Sequence, residues 1–69
     1  MRVISQDGRI SVPFDYTIFM VEENNVLAVT TDSPFHRLMA TYDTPEKALS
    51  AFGDMHYHYR HDYEMFQFK

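Results

Sequence analysis

Tyr16-Thr17-Ile18-Phe19-Met20-Val21-Glu22-Glu23-Asn24-Asn25-Val26-Leu27-Ala28-Val29-Thr30-Thr31 is the stretch that decides the fold. Two runs rich in β-branched and aromatic residues, Tyr16 to Glu22 and Val26 to Thr31, flank Glu23-Asn24-Asn25, whose asparagines tolerate positive φ. Together they read as a hairpin. Apolar side chains fall on both sides of its first strand, Ile18 and Met20 on one and Phe19 and Val21 on the other. Successive side chains of a strand point to opposite faces, so neither face stands out as the wet one. Such a strand is expected either to be central in its sheet or to be covered by a partner.

Toward the amino terminus, Val3-Ile4-Ser5 is a short apolar run closed by the turn dipeptide Asp7-Gly8. Ile10, Val12 and Phe14 then alternate with Arg9, Ser11 and Pro13, the period of a half-buried strand. These segments predict a first hairpin, and Pro13 confines its end to a sheet edge because it has no N–H to give to a ladder.

Toward the carboxyl terminus, Asp32-Ser33-Pro34 is a loop and Phe35 to Tyr42 a further strand, with Leu38, Ala40 and Tyr42 on one side. A helix then starts. Thr44 caps it, Pro45 suits the first helical position, and Glu46 complements the positive end of the helix dipole. Ala48, Phe52, Met55, Tyr59, Tyr63 and Phe66 recur every three to four residues and predict an apolar face continuing through residues 63–69. Glu64 to Lys69 also alternates, so a terminal strand is the competing expectation there. The expected whole is one α+β domain over 1–69: an antiparallel sheet of about four to five strands (two hairpins and a further strand) packed by one C-terminal helix.

Sixty-nine residues leave a modest core, and small domains commonly add disulfides, a metal or a partner subunit. The chain has no cysteine, which closes the first route and fits a reducing compartment. Residues 1–8 lack the apolar stretch of a signal peptide, and no apolar run approaches the ~20 residues of a membrane span. A cytoplasmic location without membrane association is the expectation. Six basic residues against ten acidic give a net charge of −4, unlike a generic phosphate-backbone binder. Five Tyr and six Phe make the chain rich in rings, and the final third holds six of those eleven.

Few residues suggest site chemistry. His58, His61 and Asp62 are spaced to share a helical face, and His36 could join them as metal ligands if its strand packed nearby. His56 lies about 200° around the helix from His58 and cannot. A solvated polar face explains the same residues more simply. No serine sits in a nucleophile motif, and Gly8 and Gly53 are too few for a phosphate cradle, so no catalytic residue and no cofactor is expected. A chain this short also struggles to enclose a ligand cavity of ~300 Å³. Phe14, Tyr16, Phe19 and Phe35 on strands, with Arg9 and Arg37, form the alternative of a base-stacking platform for single-stranded nucleic acid or a nucleotide. Core or interface use of those rings is the simpler reading.

The aromatic helix carries the leading expectation. Beside the packing stripe, a second line of Tyr57, His61, Met65 and Phe68 falls at steps of four, four and three. A contiguous apolar patch marks an interface, and self-association is the simplest use of it.

Met1-Arg2-Val3-Ile4-Ser5-Gln6-Asp7-Gly8, Val12-Pro13-Phe14 and Ala40-Thr41-Tyr42-Asp43-Thr44-Pro45-Glu46-Lys47-Ala48 resemble a group of short proteins of Firmicutes-type bacteria, their phages and mobile elements. Phe14 stands where that group commonly has Tyr, and residues 56–69 are richer in aromatics and histidine. The resemblance brings no catalytic or binding motif. It implies a context, that of a cytoplasmic accessory protein of phage or mobile-element type, a class that commonly binds and inhibits a host factor. The combined expectation is a small non-enzymatic homodimer that binds a host or defence protein.

Overall fold

The computed structural model describes residues 1–69. Its strands are β1 (Arg2–Ile4), β2 (Ser11–Pro13), β3 (Thr17–Glu22), β4 (Asn25–Thr30), β5 (Arg37–Thr41) and β6 (Met65–Gln67), with one helix, α1 (Pro45–Arg60), before the last. The class is α+β as expected, but the strands form two three-stranded sheets rather than one. Their orders are β2-β1-β6 and β3-β4-β5. Both expected hairpins are present, β1 with β2 and β3 with β4.

The break between the sheets lies where β2 ends. Pro13 is followed by a 3-10 turn over Phe14–Tyr16, and Thr17 Oγ1 donates to the Pro13 carbonyl at 2.6 Å. The turn redirects the chain so that β3 starts a separate ladder. Pro13 sits on an edge strand, where its missing N–H is harmless. In the β3–β4 turn the positive φ of 56° falls on Glu23 and on neither asparagine.

The parity of β5 differs from the sequence expectation. Val26 pairs with Ala40 and Leu27 with Leu38, so Met39 is an extra residue, a β-bulge. Met39 and Ala40 consequently both turn inward while Leu38 faces out.

Helix α1 begins as expected, with Thr44 Oγ1 accepting from the Lys47 N–H at 3.2 Å and Pro45 in the first turn. It stops earlier than its apolar stripe suggests. The His61 and Asp62 N–H groups bond back to Tyr57 and Tyr59, and Asp62 takes φ 61°, which an aspartate tolerates and a continuing helix does not. Residues 63–69 therefore leave the helix. Met65–Gln67 add to β1 in parallel, with Arg2 against Met65 and Ile4 against Gln67. The terminal strand, the second of the two expectations, is the correct one.

One core unites the two sheets and the helix. Val3, Val12 and Phe68 come from the first sheet side, Val26, Ala28, Met39 and Ala40 from the second, and Ala48 and Met55 from α1. Ser5 is the buried polar residue among them, its hydroxyl donating to Asp7 and accepting from the Ile10 N–H.

Candidate functional site

The outer face of the β3-β4-β5 sheet is apolar and is not used by the core. Phe19, Val21, Val26, Ala28 and Ala40 share the inner face. The pairs Ile18–Val29, Met20–Leu27 and Leu27–Leu38 then fix five aliphatic side chains on the other face. Ile18 is 62% exposed and Leu38 52%, while Met20, Leu27 and Val29 are half-buried between them. A wet sheet face normally alternates to polar residues, and this one does not. The strand with two apolar faces is an edge strand, not a central one.

The expected interface line on the helix does not form. Phe68 is 1% exposed and belongs to the core, with its ring edge-on to Phe66 at 5.0 Å. Met65 sits on β6, while Tyr57 and His61 remain exposed with ring centroids 4.2 Å apart. Helical spacing linked these residues only so long as the helix ran to the end.

The ring platform is divided as well. Phe14 lies between Phe19 (5.7 Å) and Tyr59 (4.0 Å), both stacked, with His56 at its edge. Tyr59 Oη donates to Asp15 Oδ1 at 2.7 Å, and this bond to a carboxylate pushes the Tyr59 phenol above its ordinary pKa. Phe14 and Phe19 are thus spent on packing, and Phe35 stands alone, 71% exposed. Arg9 and Arg37, however, do come together. They line an open groove of about 620 Å³ with Tyr16, Ser11, Thr31 and Asp32. Neither takes part in an ion pair; the pair present is Lys47–Asp43 at 3.5 Å.

The histidines are not gathered for a metal. No three His, Asp or Glu side chains converge on a common point, so His36, His58, His61 and Asp62 do not make a coordination set. His58 instead donates from Nδ1 to the Asp54 carbonyl at 2.7 Å, with its ring against Tyr63 and Phe66. That is the structural role of a helical histidine.

Sequence reasoning missed a cleft between α1 and β6. It holds about 570 Å³ and is open to solvent, so a short chain forms it as a trench without having to enclose it. Lys47, Ala51, Asp54 and His58 of the helix form one wall, and Met65 to Gln67 with Lys69 the other. Tyr42 also lines it, with its hydroxyl buried and unpartnered; burial, and secondarily the Asp54 charge, raise its phenol pKa. The alternation at residues 64–69 was the signal that could have revealed this wall.

No helix is long and apolar enough to cross a membrane. Comparison with protein-family models, with curated proteins and with solved structures finds no match.

Proposed function

We propose that this chain is a non-enzymatic interaction protein that works as a homodimer, joined through the outer face of the β3-β4-β5 sheet. The observation that carries this reading is the uncovered set of Ile18, Met20, Leu27, Val29 and Leu38. A second copy suits the face because one aliphatic patch can pack on its own copy about a two-fold axis. A host or defence protein as the eventual target follows the phage-type context of the resembled group.

Sedimentation equilibrium tests the dimer. A dimer is expected at about 10 μM, a concentration typical of modest interfaces. Ile18→Glu and Leu38→Glu convert it to a folded monomer, since both side chains already face solvent in one protomer. A wild-type chain that stays monomeric throughout removes this reading.

A second reading rests on the Arg9–Arg37 groove. Two unpaired guanidinium groups with Tyr16 beside them suit a phosphate and a stacked base of a single strand. Two phosphate contacts predict a log–log salt slope of about −1.4. Fluorescence anisotropy with labelled oligo-dT measures it, and absence of binding at low salt disposes of the idea.

A further inference from the structure

The edge of β6 points to a second binding site, independent of the proposed dimer face. β6 has β1 on one side only. The Glu64 carbonyl accepts from the Arg2 N–H at 3.0 Å, and the Phe68 N–H donates to the Ile4 carbonyl at 3.1 Å. Even-numbered residues thus turn their main-chain groups toward β1. Strand geometry then turns the N–H and C=O of Met65 and Gln67 the other way. Both residues are exposed, and both line the cleft whose opposite wall is α1.

A free strand edge bordering a trench beside a helix is the arrangement that accepts an extended peptide as an added strand. Main-chain bonds to Met65 and Gln67 hold such a peptide, and alternate side chains reach into the cleft toward Ala51 and Phe66. Charge selects the sequence. Lys47 and Lys69, two of only six basic residues in a chain of net charge −4, both line this cleft. Lys47 has only an exposed i,i+4 pairing with Asp43, which is easily exchanged. Asp54 and His58 lie about two and three turns further along α1 than Lys47, where His58 meets Tyr63.

We propose that the α1–β6 cleft binds an extended peptide segment of a partner protein, paired to the edge of β6 as a fourth strand, with an acidic residue at the Lys47–Lys69 end.

The test pans a displayed library of random dodecapeptides on the immobilised full-length chain, then titrates the selected synthetic peptides into the labelled protein while amide shifts are recorded. The expected peptides alternate apolar residues and carry Asp or Glu at one end. Their shifts fall on Met65, Gln67 and the Ser50–Asp54 face of α1. Met65→Pro removes a donor from the free edge while leaving the β1 bonds intact, and weakens binding about fivefold. Lys47→Glu with Lys69→Glu, a surface change that leaves packing alone, weakens it by a similar factor and abolishes the acidic preference. No enrichment, shifts confined to the β3-β4-β5 face, or affinity indifferent to both variants overturns the proposal. The dimer is read separately by sedimentation, so the failure of one leaves the other standing.

Discussion

Gln6 and Met39 join the two sheets: the Gln6 N–H donates to the Met39 carbonyl at 2.7 Å. The Gln6 side chain extends the joint in both directions. Its Oε1 accepts from the Thr41 N–H at 3.1 Å, and its Nε2 donates to the Lys69 carbonyl at 2.9 Å. A residue between β1 and the Asp7-Gly8 turn thereby ties the bulged strand to the chain's last residue. Gln6→Ala removes both side-chain bonds, which at roughly 0.5–1.5 kcal/mol each costs about 1–3 kcal/mol. Thermal unfolding measures the loss, and hydrogen exchange at the Thr41 amide is expected to quicken more than at Val26. Equal acceleration at both sites would count against a local joint.

How much of this was legible depended on whether neighbouring residues or distant ones decided the outcome. The β3–β4 hairpin and the Thr44-Pro45 helix start depend on residues adjacent in sequence, and both are as read. Met39 could not be placed by alternation, because a bulge changes parity without leaving a composition signal. Residues 63–69 satisfied helical and strand periods together, and the choice fell to the open edge of β1, far away in sequence. The candidate surface was half visible. Apolarity on both sides of β3 was plain, but only the packing of Phe19 and Val21 against the core shows which side is used. The Tyr57–Phe68 line failed because it inherited the wrong helix length.

The two glycines are expected to respond in opposite directions to alanine. Gly8 has φ +77° in the turn after β1, a conformation an L side chain adopts only with strain. Gly53 lies within α1, and a methyl group added there meets nothing within 4 Å. Gly53→Ala should stabilise by about 0.5–1 kcal/mol and Gly8→Ala destabilise by about 1 kcal/mol or more. In a domain of this size each kcal/mol moves Tm by roughly 4–8 °C. Melting curves that shift the same way for both would contradict the backbone assignment.

Phe68 and Tyr57 separate core from surface. Phe68 is buried against Phe66 and the core cluster, and Phe68→Ala should cost about 3–5 kcal/mol, enough to unfold much of a small domain. Tyr57 is exposed, and Tyr57→Ala should stay within about 0.5 kcal/mol of the parent. Urea unfolding followed by far-UV circular dichroism makes the comparison. Should Phe68→Leu prove as damaging as Phe68→Ala, ring shape rather than buried volume would be the requirement.

Acid sensitivity should trace to Asp7. Its carboxylate accepts from the buried Ser5 hydroxyl at 2.6 Å and from the Arg9 N–H at 3.0 Å, and these bonds, the serine's first, hold its pKa below the ordinary 3.8. A carboxyl group depressed in the folded state leaves the unfolded chain binding more protons between the two values, so stability rises with pH across that window. The contribution is therefore complete above the unfolded value of 3.8 and disappears as pH falls through the folded one. Asp7→Asn removes this titration while keeping an oxygen that can accept from Ser5. Its unfolding midpoint should consequently decline less steeply than the parent's below pH 4, although it begins lower at neutral pH. Parallel declines for the two proteins would place the acid-sensitive group elsewhere, with Asp32 the next to examine because the Thr30 hydroxyl holds it in the same way at 2.7 Å.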